Sequence, residues 1–230
     1  MYKQTISIYE LLEKIEKEKK LRISISKLAH ELKNPLSVCN GYLNMIDFKD
    51  NKKNNKYLSI IKDEIERSIN IINDFSFINK IKGINKEIID LYLLLEEIYS
   101  TLNPLYQTNN AYLKLPKERE IYIEADYNKL KQVLLNILKN SLESKFNDNL
   151  YVDIKLRRVK NNIKITIVDN GCGMTEDELK HIEENFYTTK INGTGLGIPY
   201  CKEIINYHNG KLSYKSIKNK GTIVSILLPI

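Results

Sequence analysis

LRISISKLAHELKNPLSVCNGYLNMI, Leu21 to Ile46, decides the first half of the fold. Its apolar residues Leu21, Ile25, Leu28, Leu32, Leu36, Cys39, Leu43 and Ile46 advance in steps of 4, 3, 4, 4, 3, 4 and 3. That near-heptad rhythm lays them on one stripe of a helix, the pattern of a bundle seam rather than of a strand. From about Thr5 to Asn79 the only glycine is Gly41 and the only proline is Pro35, so little interrupts helix here. A second stripe, Tyr57, Ile61, Ile65, Ser68, Ile72 and Phe75, runs in steps of 4, 4, 3, 4 and 3, and the polar stretch Asp47 to Asn55 supplies the turn between them. Two helices with one continuous apolar seam cannot cover it alone. The hairpin is therefore predicted to pair with a second copy into a four-helix bundle, making the protein a homodimer. Ile8, Leu11, Leu12 and Ile15 extend the first helix toward the N-terminus, which gives a rod of roughly 60 Å at about 1.5 Å per residue. Residues 1–20 are thus an N-terminal helical extension and residues 21–79 the hairpin.

After Lys80-Ile81-Lys82-Gly83 the rhythm changes, and extended segments alternate with helical ones. Residues 80–85 read as a linker and residues 86–230 as a second domain. Strands are expected at Lys86 to Ile89, Tyr112 to Leu115 and Ile121 to Glu124, with a hairpin of Tyr151 to Val159 and Ile163 to Val168 around Asn161-Asn162. Asp90 and Asp126 are placed to cap helices over Leu91 to Asn109 and from Asp126 to about Lys145. A third helix is expected over Gly195 to Tyr207, followed by strands Lys211 to Ile217 and Thr222 to Leu228. The fold class is α plus α/β: a helical hairpin, then an α/β sandwich of a mostly antiparallel sheet with helices on one face.

Composition bounds the function. The chain has 230 residues, 36 Lys and Arg against 29 Asp and Glu, three His, three Cys and no Trp. Its apolar runs fall far short of the ~20 residues of a membrane-spanning helix, and no signal peptide opens it, so a soluble, cytoplasmic protein without a membrane span is expected. Cys39, Cys172 and Cys201 are odd in number and far apart, which excludes a disulfide framework and a CxxC zinc site. The net charge of +7 hints at nucleic acid, but lysines alternate with glutamates, as in Glu16-Lys17-Glu18-Lys19-Lys20, and read as solvated faces. No nucleic-acid partner is expected.

Three constellations carry chemistry. His30 lies two positions from the seam residues Leu28 and Leu32, about 200° round the helix from each, and so faces solvent. Glu31 adjoins it and Asn34 shares its face. A neutral imidazole attacks phosphorus through one nitrogen when a carboxylate holds the proton on the other, although a lone exposed histidine is more often unremarkable in role. Pro35 argues for a role, since a proline inside a helix costs about 3 kcal/mol and removes a backbone bond. Asn136 and Asn140 stand one turn apart on one helix, where neutral amides suit Mg²⁺ already shared with phosphates, a weak signal alone. Ile165 to Val168 delivers Asp169 into Asn170-Gly171-Cys172-Gly173, either a plain strand-ending turn or an acceptor for the exocyclic amine of adenine. Finally Phe186-Tyr187-Thr188-Thr189-Lys190 precedes Gly193-Thr194-Gly195-Leu196-Gly197 at a helix start, where bare N–H groups favour phosphate. GxxxxGK[ST] is absent, and Pro199 and Tyr200 spoil the dinucleotide fingerprint.

In order and spacing these runs resemble the histidine kinases of two-component signalling. His30 to Leu36 looks like the family's H box, Asn136 to Asn140 its N box, Asp169 to Gly173 its G1 box, Phe186 its F box and Gly193 to Gly197 its G2 box. HELKNPL and FYTTKINGTGLG are similar to runs of the orphan and sporulation-type kinases. The resemblance implies a dimerisation and histidine-phosphotransfer hairpin followed by an ATP-binding domain of the Bergerat fold. It implies that His30 is the phospho-acceptor, Glu31 the base on its other nitrogen, and Asn34 the residue orienting water for dephosphorylation of a partner. Asn140, assisted by Asn136, is implied to hold Mg²⁺ and ATP, and Asp169, with Gly171 and Gly173, to read adenine. Phe186, Thr188, Thr189, Lys190, Gly193, Thr194, Gly195, Leu196 and Gly197 are implied to border ATP and its lid, with Lys190 at the terminal phosphate. The implied partners are a response-regulator receiver domain, whose aspartate takes the phosphoryl group, and a sensor or regulatory protein that supplies the signal. A second class is a phosphorelay phosphotransferase or regulatory scaffold without productive ATP use. One departure is Ser141, where the family usually has alanine, a change expected to be tolerated.

Overall fold

The computed structural model describes residues 2–47, 50–79, 85–190 and 193–230. The chain forms two compact units, Met1–Ser76 with Lys190–Thr194, and Phe77–Thr189 with Gly195–Ile230. The linker expected over 80–85 lies outside the described residues from 80 to 84.

The first unit is a hairpin of α1 (Tyr2–Leu43) and α2 (Asn51–Asn79). α2 starts ahead of the Asn55 expected from the polar stretch, because Asp50 Oδ1 accepts the Lys53 N–H at 3.1 Å and caps the helix. The Asn54 side chain closes the turn, donating through Nδ2 to the Asp47 carbonyl at 2.6 Å and accepting the Asp47 N–H at 3.2 Å. The apolar seam divides into two stripes. An inner stripe holds the helices together: Pro35, Cys39, Ile61, Ser68 and Ile71 are buried, Cys39 Sγ donates to the Ile61 carbonyl at 3.6 Å, and the Tyr42 and Tyr57 rings lie 5.3 Å apart. An outer stripe of Ile25, Leu36, Leu43, Leu58, Ile65 and Ile72 stays about half exposed on the single chain.

The second unit opens with β1 (Glu87–Asp90), α3 (Leu91–Thr108), β2 (Ala111–Lys114), β3 (Tyr122–Ala125) and α4 (Tyr127–Glu143). It continues through β4 (Leu150–Val159), β5 (Asn162–Asp169), α5 (Glu176–His181), α6 (Gly197–Tyr207), β6 (Lys211–Ile217) and β7 (Gly221–Pro229). Five strands form one sheet in the order β2-β4-β5-β7-β6, antiparallel except for the β2–β4 pair, and β1 and β3 pair separately. Along β5 every second residue, Ile163, Ile165, Ile167 and Asp169, is buried, so one face of the central strand points into the helix layer. There it meets Leu94, Leu95 and Ile98 of α3, Leu130, Leu134 and Leu138 of α4, and Ile204 and Ile205 of α6 in a single core.

Both predicted caps are present. Asp90 Oδ1 accepts the N–H groups of Tyr92 at 2.8 Å and Leu93 at 3.3 Å, and Asp126 Oδ1 accepts that of Lys129 at 3.1 Å. His208, fully buried at the end of α6, secures the second cap: its Nε2 accepts the Asp126 N–H at 2.8 Å while Nδ1 donates to the Ile204 carbonyl at 2.8 Å. Two differences from the sequence reading stand out. α6 begins at Gly197 rather than Gly195, because Gly195 has φ of +64°, outside the helical region. α5 was not anticipated; it is one short turn started by a capping box, with the Thr175 hydroxyl accepting the Glu178 N–H and the Glu178 carboxylate accepting the Thr175 N–H.

Candidate active site

The end of β5 delivers Asp169 into the core of the second unit, 5% exposed. Its Oδ1 accepts the N–H groups of Gly171 at 3.0 Å and Thr222 at 3.1 Å; the Ser144 hydroxyl stands 3.5 Å from it and donates to the Ser141 carbonyl at 2.7 Å. Its Oδ2 accepts the Ser141 hydroxyl at 3.2 Å. Burial pushes this carboxyl above its ordinary pKa, and these donors pull it back by stabilising the ionised form. The following loop is held from three sides. The Cys172 N–H donates to the Ser144 carbonyl at 2.8 Å, the Asn219 N–H to the Cys172 carbonyl at 2.7 Å, and the Met174 N–H to Ser216 Oγ at 2.8 Å. Gly171 and Gly173 are buried in that loop, Gly173 with φ of +58°.

Asn136 and Asn140 lie half-buried one turn apart on α4, with Asn140 Nδ2 at 3.5 Å from Asn136 Oδ1. α6 enters against them. A Cβ on Gly197 would stand 2.6 Å from Asn136 Nδ2 and 2.9 Å from Oδ1, so only a glycine lets the helix start seat against that carboxamide. Leu196 is buried at the cap position and makes no side-chain cap, and the start of this 11-residue helix, with the positive end of its dipole, lies against the Asn136 carboxamide. Pro199 falls within the first turn, where its missing N–H costs nothing. Farther along, the Tyr200 hydroxyl donates to Gln132 Oε1 at 2.9 Å and ties α6 to α4.

The lid sequence is only partly part of this cluster. Phe186, half-buried with φ of +67°, donates its N–H to the Gly195 carbonyl at 3.0 Å, which sets the bend before α6. Thr188, Thr189 and Lys190 are exposed, and Gly193 and Thr194 half-buried, with the Gly193 N–H donating to the Lys190 carbonyl at 3.2 Å.

In the first unit His30 and Asn34 are exposed on α1 and Glu31 is half-buried. The helix continues through the buried Pro35, which has no N–H to offer the Glu31 carbonyl, and two residues on Ser37 Oγ donates to the Lys33 carbonyl at 2.7 Å.

Residues 20–83 match the family model of the His Kinase A (phospho-acceptor) domain, and residues 125–230 that of the histidine kinase-, DNA gyrase B- and HSP90-like ATPase. The chain belongs to the histidine kinase family. Sporulation kinase B of Bacillus subtilis is 34% identical over 89% of this kinase chain and 48% of its own length. The sensor protein kinase WalK of Staphylococcus aureus is 30% identical over 96% of this chain and 57% of its own. The chain therefore spans about half the length of the curated relatives it matches. Histidine kinase ThkA, solved in complex with response regulator protein TrrA, superposes with a TM-score of 0.76 at 24% identity, over 96% of this chain and 66% of that one. Its fold, a helical hairpin followed by an α/β ATPase domain, is the fold of this kinase.

Three residues around Asp169 are not singled out as site residues by the sequence motifs. Ser144 and the Thr222 N–H both reach Asp169, and Ser141, noticed only as a departure, donates to it as well. Ser141 and Ser144 carry a local signal, hydroxyls one turn apart at the end of the helix bearing Asn140; Thr222 carries none, since only strand pairing sets it opposite Asp169.

Proposed function

We propose that this chain is the catalytic core of an ATP-dependent protein-histidine kinase that phosphorylates its own His30 and passes the phosphoryl group to an aspartate of a response regulator. The observation that carries this reading is the buried Asp169 carboxylate, with Oδ1 held by the backbone N–H groups of Gly171 and Thr222 and Oδ2 accepting the Ser141 hydroxyl with a second lone pair to offer. An adenine offers its exocyclic amine to such an oxygen. Gly171 and Gly173 let the loop close on the Ser144 side chain and the Ile217 carbonyl, which lie 1.9 and 2.0 Å from where their Cβ atoms would stand, and the Asn136 and Asn140 face of α4 leads to the start of α6, which suits a triphosphate.

The donor set fits Mg²⁺ that arrives on phosphate. Neutral amide oxygens of Asn140, assisted by Asn136, add no charge to a crowded anion, and among the described residues no group of three His, Cys, Asp or Glu stands ready for a bare metal ion. When bound, the metal neutralises phosphate charge during transfer. Lys190, Thr188, Thr189, Phe186, Gly193, Thr194, Gly195, Leu196 and Gly197 form the lid side, with Lys190 at the terminal phosphate.

At His30 one ring nitrogen attacks the γ-phosphorus; the bond from that phosphorus to the β,γ-bridging oxygen breaks, and ADP leaves. Glu31 takes up or holds the proton on the other ring nitrogen, which keeps the attacking nitrogen basic. Asn34 orients water when the regulator is dephosphorylated. ThkA was solved with a response regulator, which supports a receiver domain as the partner. The half-exposed outer stripe of the hairpin supports a homodimer, with a sensor segment or regulatory protein supplying the signal. Among the described residues no helix is long and apolar enough to cross a membrane, and the core is assigned to the cytoplasm, where ATP is available.

Incubation with γ-labelled ATP and Mg²⁺ tests the reading. The wild type is expected to acquire acid-labile, base-stable label, and His30→Gln to acquire none. Equal labelling of the variant, or an unlabelled wild type, overturns it.

A further inference from the structure

Helical serines of this protein commonly spend their hydroxyl on their own helix: Ser37, Ser68 and Ser100 donate to the carbonyls of Lys33, Glu64 and Glu96, one turn back. Ser141 does not follow them. It is 3% exposed on α4, and its hydroxyl reaches across to Oδ2 of Asp169 at 3.2 Å. The two oxygens of that carboxylate are unequal. Each offers about two lone-pair sites; Oδ1 already receives the N–H groups of Gly171 and Thr222, whereas Ser141 is the donor recorded at Oδ2 among the described residues. Because the carboxylate is planar, the two backbone donors at Oδ1 fix the place of Oδ2 as well. What Ser141 adds is a donor on one lone pair of Oδ2, which leaves the other.

We propose that Ser141 is a positioning residue for base recognition: its hydroxyl occupies one lone pair of Oδ2 of Asp169, keeps water off that oxygen and leaves the other lone pair for the 6-amino group of a purine. The chain thereby selects 6-aminopurine nucleotides over purines that lack the amine. This rests on the reading of the pocket as an ATP site. Without the hydroxyl, Oδ2 loses its protein donor in a buried setting and must recruit water, which competes with the amine for the same oxygen.

The test is a thermodynamic cycle on the whole chain with Mg²⁺, measured by calorimetric titration. The ligands are ATP and purine riboside 5′-triphosphate, which carries hydrogen in place of the 6-amino group. Ser141→Ala is expected to weaken ATP about tenfold, the loss of about one hydrogen bond to a charged group, and to leave the analogue within about twofold. Ser141→Thr, which retains the hydroxyl, is expected to restore most of the preference. Should the alanine variant lose its circular dichroism signal, Ser141→Cys serves instead, keeping the volume with a weak donor, and must shift the ratio in the same direction. Equal weakening of both ligands means that Ser141 merely packs α4, and unchanged affinities mean that it does nothing here; either overturns the proposal. A wild type that binds ATP without preference over the analogue also overturns it. A wild type that binds neither nucleotide overturns the ATP-site reading itself, a distinct result.

Discussion

Asp169 and His208 are both buried and titratable, and burial drives them in opposite directions. The Asp169 carboxyl is raised above its ordinary 3.8, so between that value and the folded one the native state holds more protons than the unfolded chain. Its contribution to stability is therefore present below pH 3.8 and is lost as pH rises through the folded value, leaving the ionised group a net cost at neutral pH. Asp169→Asn should raise the melting temperature of the second unit at pH 7, lose that advantage below pH 3.8, and weaken ATP binding at least about tenfold. Thermal melts across pH, alongside nucleotide titration, check this; a variant that melts lower at pH 7 shows that the buried carboxylate carries no net cost. His208 is lowered from 6.5, first by burial, with the charges of Lys86 and Lys129 adding to it. Here the unfolded chain holds more protons below pH 6.5, so stability is present above that pH and is lost as pH falls through the lowered folded value. His208→Gln should be less stable at pH 7 yet show a shallower loss of melting temperature from pH 6.5 downward than the wild type.

At the scale of elements, what sequence reveals depends on how local the cause is. Asp90 and Asp126 were legible as caps because a cap bonds N–H groups two or three residues ahead. The acid at the end of β5 was legible from an apolar run stopping at a glycine turn. Its partners were not, since Ser144 and Thr222 lie 25 and 53 residues away and are brought in by the end of α4 and the β5–β7 register. α5 hid because six residues are too few for a periodic pattern, although Thr175 and Glu178 carried a capping signature. The single hairpin seam became two stripes for a related reason: a heptad pattern marks which residues are apolar, not which of two neighbouring helices each one meets. The start of α6 was misplaced by two residues because a glycine in a positive φ ends a helix as readily as it precedes one. That bend predicts its own test. A Cβ at Gly195 would stand 2.4 Å from the Phe186 carbonyl carbon, in addition to the φ of +64°. Gly195→Ala should destabilise the second unit by more than about 1 kcal/mol in urea unfolding and displace the start of α6. ATP affinity should fall with it, whereas an unchanged unfolding midpoint would show that the bend relaxes freely.

For the whole molecule the decisive question is what covers the outer stripe of the hairpin. Leu36 and Leu43 on α1 and Leu58, Ile65 and Ile72 on α2 recur at intervals of seven, each about half exposed on one chain, while the inner stripe is already satisfied by Cys39, Ile61 and Ile71. Burying such side chains contributes about 1.5–3 kcal/mol each, and a two-helix hairpin has no other core to draw on. The second unit differs, because its sheet and three helices enclose a core of their own. Two melting transitions should follow. The hairpin transition should move to higher temperature as chain concentration rises, since dimerisation is coupled to its folding, and the other should not. Replacing Ile65 and Ile72 together by lysine puts two charges where the partner's apolar stripe must sit, and an unpaired buried charge is not tolerated there. The double variant should sediment as a monomer and lose the concentration-dependent transition, yet keep the second transition and bind ATP as the wild type does. Because His30 stands on the hairpin and Asn136, Asn140 and Asp169 belong to the other unit, autophosphorylation should fall sharply in that variant while nucleotide affinity holds. A double variant that remains dimeric would place the interface on another face of the hairpin.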